Sequence, residues 1–562
     1  MGSESKLDIV LCWHMHQPDY RDHLRNEFQQ PWVYLHAIKD YVDMAAHLEA
    51  VPAARAVVNF SPVLLAQLDE YERQIQGYLR NNQPIRDPLL AMLDSPVFPA
   101  DNEHRVALVK ACLHSNRKRM IERFKPYQRL TEIAQPIIQD LSYSAYLSNQ
   151  FLADLITWFH LAWLGETVRR TDPRIIKLIE QASGYTLHQR RLLLEVIGEL
   201  LSGLRRRYAA LAGQGRVELA MSPYAHPMLP LLLHFKDARD AMPDIHLPVL
   251  KSYPGGKDRV KWHLQHGLEV FEKYFGLRPS GCWPSEGGIS VTTLKAIGNA
   301  GFAWAATGEN VLRNSLGGSG GKHGDSIFRG FLEPESGVRL FARDDTLSDL
   351  IAFTYADWHA DHAVADLIHR LIVIADGCKD RENAVVSIIM DGENAWEYYP
   401  ENAYYFLSAL YQRIVEHPRL QLTTYRELLQ KPSAKLDRIV AGSWVYGTFS
   451  TWIGAEDKNR GWDVLGDVKR VYDESRGKLN ANQLELIDEQ LAVCEGSDWF
   501  WWFGDYNPAA TVSDFEHLFR THIANLYHML GQEPPQYLSQ TMSHGSGAPA
   551  LGGVIRPGNP GS

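Results

Sequence analysis

Short runs of apolar residues, rich in β-branched side chains, alternate along the first 430 residues with longer segments whose apolar positions recur at the helical period. Such runs are typical of strands buried on both faces of a parallel sheet, and the segments between them of connecting helices. The runs cover residues 7–13, 54–60, 215–219, 280–286, 302–307, 338–341, 385–390 and 420–425. Seven or eight strands that alternate with helices predict a parallel β/α barrel.

Two parts of the chain depart from this alternation. Residues from about 86 to 208 show long helical periodicity with almost no strand pattern, which predicts a helical insertion in a barrel that covers residues 1–430. Residues 431–532 predict a C-terminal helical domain, whose last helix begins at a Ser513-x-x-Glu516 capping box. Residues 533–562 are rich in Gly, Pro and Ser and are predicted to be disordered.

Acidic side chains follow the buried run 385–390 directly. Asp391 and Glu393 come first, and Trp396 stands three positions later. In β/α barrels the carboxyl ends of the strands form the face where catalytic side chains collect. Asp-Gly is also an ordinary turn after a strand, but an aromatic ring beside two acids favours a sugar-binding site.

A second predicted strand ends in another carboxylate. The run 280–286 ends in Glu286, with Trp283 beside it and two glycines behind it. Glu286 and Asp391 together supply the two carboxylates that acid-and-nucleophile chemistry on a glycosidic bond requires. Asp344 follows the run 338–341 in the same way and is a further candidate for substrate contact.

Three histidines are placed to join these acids. His14 and His16 follow the first run and point to the same face if that strand continues, and His226 follows the run 215–219. They are candidates either for metal ligands or for hydrogen bonds to a polar substrate. Glu218 lies inside an apolar run, where a lone charge is costly, so we expect it to face the barrel mouth.

Aromatic residues are concentrated in the C-terminal region. Residues 497–502 contain three tryptophans, and we expect Trp501 and Trp502 to form an exposed platform for substrate rather than core. The Gly-rich stretch 315–326 lacks the spacing of a phosphate-binding loop and is predicted to be a mobile loop.

Composition narrows the function classes. The net charge of −10 argues against a nucleic-acid partner, which calls for an excess of basic residues. No apolar run is long enough to span a membrane, and the first residues lack the pattern of a signal peptide. The five cysteines are odd in number and far apart, so neither disulfides nor a cysteine metal site is expected. These features predict a cytoplasmic protein.

Several motifs resemble conserved regions of glycoside hydrolase family 57, in matching order over residues 7–530. They are HMHQP at 14–18, GRVEL at 215–219, WPSEG at 283–287, MDGENAWEYY at 390–399 and, in the C-terminal region, EGSDWFWWFGD and FEHLFRTHI. The resemblance implies a (β/α)7 barrel with a C-terminal helical domain that acts on α-glucans or maltooligosaccharides. It also implies retention of configuration and no metal or other cofactor.

The resemblance further implies individual roles. Glu286 corresponds to the nucleophile and Asp391 to the general acid/base, with His14, His16, Glu218 and His226 around the sugar. The run DGENAWEYY is most similar to amylopullulanase-type members, which cut both α-1,4 and α-1,6 links. If a sugar hydroxyl replaces water, the same site is that of a 4-α-glucanotransferase or a branching enzyme.

Two readings from other classes compete with this one. A metal-dependent barrel amidohydrolase or deacetylase uses His14, His16, His226 and Asp391 as ligands, but it leaves Glu286 and the tryptophans without a role. A catalytically silent carbohydrate-binding protein needs neither of the two acids. Oligomeric state cannot be inferred from the sequence.

Overall fold

Seven parallel strands close into a barrel in the computed structural model, which describes residues 6–317, 327–378 and 383–547. The strands, numbered in chain order, are β1 (Leu7–Met15), β2 (Ala56–Phe60), β3 (Val217–Met221), β4 (Gly281–Cys282), β5 (Trp304–Gly308), β6 (Arg339–Arg343) and β7 (Val385–Asp391). Most of the predicted Gly-rich loop lies outside the described residues. The predicted β/α barrel is confirmed.

The strands pair in the order β7-β1-β2-β3-β4-β5-β6, and a single pairing between β6 and β7 closes the ring, with Arg343 opposite Ser387. The run 420–425 forms only the strand Leu420–Leu422, which pairs with the start of β1 outside the ring. The barrel therefore has seven strands, and the eighth predicted strand is an addition to its rim. Minor strands are Arg21–Asp22, Glu27–Phe28, Phe331–Leu332 and Ala434–Lys435.

Successive side chains on a barrel strand belong to two different hydrophobic clusters, one inside the barrel and one between the barrel and its helices. On β1, Val10 and Cys12 belong to the cluster inside the barrel, whereas Ile9 and Leu11 pack outward against the helices. Because side chains on a strand alternate between faces, the inward phase of β1 continues to His14. Ile389 on β7 is inward by the same criterion, and Asp391 follows in phase.

Helices surround the strands. Those outside the insertion are Trp32–His36, Val42–Ala50, Pro62–Asn81, Leu229–Leu233, Gly256–Phe275, Val291–Asn299, Glu309–Ser315, Asp345–Asp349, Ala360–Gly377, Tyr404–Glu416 and Tyr425–Leu428. The helix before β4 ends at Gly276, whose φ of 71° is a left-handed conformation that glycine adopts without strain.

The long segment between β2 and β3 is helical, as predicted. Its helices are Pro88–Asp94, Asn102–Cys112, Lys125–Gln139, Asn149–Ala162, Glu166–Thr171, Pro173–Gln181 and Leu187–Gly213. Trp158 and Trp163 are buried among them and serve as core.

The C-terminal region contains the helices Glu456–Ser475, Ala481–Cys494, Ser497–Trp502 and Ala509–Met529. The predicted capping box at Ser513 is wrong, because the last helix begins one turn earlier, after Pro508. Glu516 instead accepts hydrogen bonds from Arg520 and from the amide of Met542. A capping pattern read from adjacent residues cannot show that the Glu516 carboxylate is hydrogen-bonded to a segment distant in the sequence.

Residues 533–547 are ordered, contrary to the predicted disorder of the tail. Leu538 and Met542 are buried, and Ser543 donates a hydrogen bond to Asp457. Few apolar residues suffice here because they pack onto an existing core, which composition alone does not show. The rest of the tail lies outside the described residues.

All five cysteines are buried and free. Burial raises the pKa of the Cys12 thiol, which keeps it protonated. Within residues 6–317, 327–378 and 383–547, no helix has both the length and the apolar character needed to cross a membrane.

Candidate active site

A cavity of about 460 Å³ opens at the carboxyl ends of the barrel strands. The barrel contributes the polar residues His14, His16, His226, Glu286, Asp391 and Asn394 to the lining, and the C-terminal region contributes Trp444, Asp498, Trp501, Trp502, Asp514 and Phe515. A concave pocket with aromatic walls and a few converging polar groups is the usual form of a small-molecule site.

Glu286 sits on a backbone that few residues adopt. Its φ and ψ are 58° and 23°, and Gly287 follows with a φ of 58°. A Cβ on Gly287 would lie 2.9 Å from the Trp283 ring, so the position requires glycine. The carbonyl of Glu286 accepts a hydrogen bond from the amide of Trp444 at 3.0 Å, which ties the acid to the C-terminal region. Left-handed backbone at a non-glycine residue is a feature that clusters at active sites.

Both carboxylate oxygens of Glu286 have a donor. The Ser497 hydroxyl donates to Oε1 at 2.9 Å, and the Trp444 indole donates to Oε2 at 3.1 Å. Burial and the nearby charge of Asp498 nevertheless raise the pKa of Glu286 to about 8, although the two hydrogen bonds act in the opposite direction. Glu286 is 8 % exposed and lines the cavity.

Asp391 ends β7 and faces the same cavity. It lies beside His14 in the β1–β7 register, and Asn394 donates a hydrogen bond to its Oδ2 at 3.4 Å. Burial raises the pKa of Asp391 to about 6. Asp391 also raises the pKa of Glu286, so the two acids form one interacting pair.

The three predicted histidines come together as a stack. The ring centroids of His16 and His226 are 4.0 Å apart, and those of His14 and His226 are 4.9 Å apart. Burial and the neighbouring His16 lower the pKa of His14 to about 3, and the same two causes lower the pKa of His226. Both rings are therefore neutral at ordinary pH.

Hydrogen bonds fix the tautomers of these two neutral rings. The Ser222 hydroxyl donates to Oδ1 of Asn59, and the same oxygen accepts from Nδ1 of His14 at 2.7 Å. Ser497 donates its only proton to Glu286, so it accepts from Nδ1 of His226 at 3.0 Å. The Nε2 atoms of both rings are buried without a hydrogen-bond partner among the described residues. Each is a free acceptor for a hydroxyl proton.

His16 faces an acid that sequence reasoning did not select. Its Nε2 lies 2.9 Å from Oδ1 of Asp498, and its Nδ1 lies 2.7 Å from the Ser61 hydroxyl. Asp498 stands in the predicted aromatic segment 497–502, where it is the only acid. An acid within a run of large apolar residues was the available signal, and the same signal had drawn attention to Glu218.

The expectation that Glu218 faces the barrel mouth is wrong. Its carboxylate accepts hydrogen bonds from the Ser280 hydroxyl, the Trp304 indole and the Arg426 amide. These donors lie at the start of β4 and β5 and after the last strand, so Glu218 closes the opposite end of the barrel. Alternation along β3 does place Glu218 on the inner face of the barrel, as Ala220 is. It does not show at which end of the barrel the side chain lies.

Four further predicted contacts lie outside the cavity lining. Glu393 accepts from the His16 amide and the Gln17 side chain, so it holds the loop that carries the histidines. Asp344 caps the helix Asp345–Asp349 by accepting from the Leu347 amide. Trp396 donates to the Gly392 carbonyl and packs edge-on against Trp13, and Trp283 is buried behind Trp444.

Trp501 and Trp502 do line the cavity, whereas their neighbours do not. Trp499 and Phe500 of the same short helix are fully buried core residues. The ring of Trp502 is stacked on Phe515, with centroids 5.1 Å apart. The aromatic segment is therefore half core and half cavity wall, because its helical turn divides the rings between two faces.

The family model for glycosyl hydrolase family 57 matches residues 10–439. The chain belongs to glycoside hydrolase family 57. It is therefore an enzyme of the glycosidase type, and the family resemblance of its motifs is confirmed. None of the curated proteins matches the chain.

Solved structures of family 57 enzymes share the fold. The GH57-type branching enzyme of Pyrococcus horikoshii is 16% identical with a TM-score of 0.54, over 95% of this chain and 93% of that one. The α-amylase AmyC of Thermotoga maritima is 13% identical with a TM-score of 0.57, over 95% and 96%. The 4-α-glucanotransferase of Thermococcus litoralis is 14% identical with a TM-score of 0.51, over 93% and 60%.

Proposed function

We propose that this family 57 enzyme cleaves α-glucosidic bonds in α-glucans with retention of configuration, using Glu286 as nucleophile and Asp391 as general acid/base. The observation that carries the proposal is that two acids from different strand ends line one cavity together with aromatic rings. Similar solved structures include those of an α-amylase, a branching enzyme and a 4-α-glucanotransferase, which supports an α-glucan as substrate.

In the first step a Glu286 oxygen attacks the anomeric carbon while the bond to the leaving oxygen breaks and Asp391 gives that oxygen its proton. The donors Ser497 and Trp444 stabilise the ionised form of Glu286 without blocking it, because each oxygen keeps a second lone pair. The free Nε2 atoms of His14 and His226 accept hydrogen bonds from sugar hydroxyls and orient the sugar ring.

In the second step Asp391 takes a proton from the incoming hydroxyl, whose oxygen attacks the anomeric carbon and releases Glu286. Each turnover thus needs one proton on the pair, and that proton must be on Asp391 when the first step begins. Burial raises the pKa of both acids in the free site, so the pair can carry this proton near neutral pH.

The identity of the incoming hydroxyl separates two activities. Water gives hydrolysis, as in an α-amylase or amylopullulanase, and a sugar hydroxyl gives transfer, as in a glucanotransferase or branching enzyme. Both share the covalent intermediate on Glu286, and the aromatic wall formed by Trp501 and Trp502 is suited to an acceptor sugar as well as to a donor.

Product analysis tests this proposal. The purified protein is incubated with maltoheptaose, pullulan and glycogen, and the first anomer formed is followed by NMR. We expect shorter maltooligosaccharides with the α-configuration retained; longer oligosaccharides from maltoheptaose identify transfer, and release of maltotriose from pullulan identifies α-1,6 cleavage. An initial β-anomer, or no change in any of the three glucans, would contradict the proposal.

A further inference from the structure

Two histidines and an aspartate in the cavity wall have the donor set of a transition-metal site. His16, His226 and Asp498 each present one ligand atom, and these three atoms lie within 4.8 Å of one another. Imidazole nitrogens suit Zn²⁺, Co²⁺, Ni²⁺ or Cu²⁺, whereas Mg²⁺ and Ca²⁺ prefer sites made of oxygen.

Serine hydroxyls hold the far nitrogen of both rings. Nδ1 of His16 lies 2.7 Å from Ser61, and Nδ1 of His226 lies 3.0 Å from Ser497. Metal-binding histidines are usually fixed through their second nitrogen in this way, which turns the other lone pair toward the ion. His226 is 2 % exposed, and its Nε2 has no partner in the described part of the chain. A buried lone pair without a donor is an independent sign of a ligand.

The cluster has to contract to hold an ion. Zinc bonds of about 2.0–2.1 Å place tetrahedral ligands roughly 3.3 Å apart. The His16 and His226 rings are stacked with a 24° angle between their planes, so both must turn slightly before their lone pairs converge. This rearrangement makes the site weaker than a structural zinc site, and the fourth position faces the cavity.

We propose that His16, His226 and Asp498 form an inhibitory site for a divalent transition-metal ion such as Zn²⁺. An ion there occupies His226 Nε2, which otherwise accepts a sugar hydroxyl, and brings positive charge close to Glu286, whose Oε1 lies 3.7 Å from His226 Nδ1. The inhibition rests on the proposed function, whereas the binding does not.

Titration of the glucan-free protein with Co²⁺, followed by visible absorption, tests the binding. We expect one ion per chain, displacement by Zn²⁺, no displacement by Mg²⁺, and affinity at least about tenfold weaker in His226→Ala and in Asp498→Asn. His104→Ala is the matched control, because His104 makes an exposed pair with Asp101 and has no third ligand within the part of the chain that the structure describes. That variant should bind Co²⁺ like the wild type.

Two outcomes would overturn the metal site: less than one ion per wild-type chain, or equal affinity in wild type and in a His226→Ala protein with an unchanged melting curve. If His226→Ala does not fold, the wild-type stoichiometry decides alone.

Inhibition is tested on a preparation that hydrolyses maltoheptaose, where saturating Zn²⁺ should stop turnover and a chelator should restore it. Full turnover at saturation would overturn the inhibitory role while leaving the proposed function intact.

Discussion

Three carboxylates and three imidazoles share the mouth of the barrel, and their charges set one another's protonation. Burial, followed by the charges of Asp498 and Asp391, raises the pKa of Glu286, and burial lowers the pKa of His14 and of His226. Burial therefore disfavours the charged forms of Glu286, His14 and His226. Low polarity around a carboxyl pair is a common means of keeping one member protonated near neutral pH.

The pH dependence of kcat/KM should follow the two acids. Below the pKa of Asp391, about 6, both acids are protonated and no nucleophile is available. Above the pKa of Glu286, about 8, both are ionised and no acid is available. Because kcat/KM reports the free enzyme, initial rates on a soluble maltooligosaccharide should trace a bell between these limits. A kcat/KM profile that is flat from about pH 5 to about pH 9 would contradict the assignment of Glu286 and Asp391 as the two titrating acids.

Asp498→Asn should move the upper limb of that profile to lower pH. Removal of the Asp498 charge lowers the pKa of Glu286, because that charge is the second-largest cause of its elevation after burial. The comparison is made on kcat/KM profiles of the two proteins in the same buffers. An unchanged upper limb would show that Asp498 does not act on Glu286 through its charge.

Glu286→Gln and Asp391→Asn should each reduce kcat by at least about 100-fold, since either change removes a group that reacts in the transition state. Asp344→Asn is the matched control: it also ends a barrel strand, but it only caps a helix, and asparagine caps equally well. Hydrolysis of maltoheptaose is the measurement. Similar losses in all three variants would point to a general effect on folding instead.

At the scale of elements, two segments of the C-terminal region are fastened to the barrel beside the acids. Ile289 and Gly442 pair through backbone hydrogen bonds, which positions Trp444 over Glu286. Below the Ser497–Trp502 helix, the buried Glu495 accepts from Tyr253, Arg259 and His263. These anchors explain how Ser497 and Asp498 keep their places in the cavity.

Arg259→Met should lower the free energy of unfolding by about 3–5 kcal/mol, because it leaves the carboxylates of Glu495 and Asp488 buried without their charge partner. Denaturant unfolding measures the change. Arg73→Met, which removes an exposed ion pair with Glu70, should change stability by less than about 1 kcal/mol. Equal effects of the two substitutions would mean that the buried network does not stabilise the fold.

Features that depend on one strand and its end could be predicted from the sequence. Glu286, Asp391, His14 and His226 were found because an apolar run stops at a polar residue on the mouth side. Glu218 was misplaced because alternation gives the face of a strand but not the end of the barrel. Ser497 and Trp444 could not be selected, since their role arises from contact with residues more than 150 positions away.

At the scale of the whole molecule, the cavity exists only because the C-terminal region closes over the barrel. The family model ends at residue 439, yet Asp498, Trp501 and Trp502 lie beyond it. Gly547, near the end of the described chain, also lines the cavity. Composition predicted disorder for this part of the tail because it measures how little apolar surface a segment has, not where that surface is buried.

Truncation after Gln532 should therefore destabilise the protein. It removes the buried side chains of Leu538 and Met542, each worth about 1.5–3 kcal/mol, together with the hydrogen bond that the Gly504 amide donates to the Ser543 hydroxyl. Truncation after Gly547 keeps these contacts and should leave the melting temperature unchanged. If both truncated proteins melt like the full chain, the ordered tail contributes nothing to stability.

The central claim is that Glu286 attacks the sugar while Asp391 transfers the proton. A fluorinated α-glucosyl fluoride that forms the intermediate quickly and releases it slowly can trap the attacking residue, which peptide mass spectrometry then identifies. The account predicts one glucosyl label per chain, on Glu286, and rapid labelling even in Asp391→Asn because fluoride leaves without a proton. A label on Asp391, or inversion of configuration with no label on any residue, would contradict it.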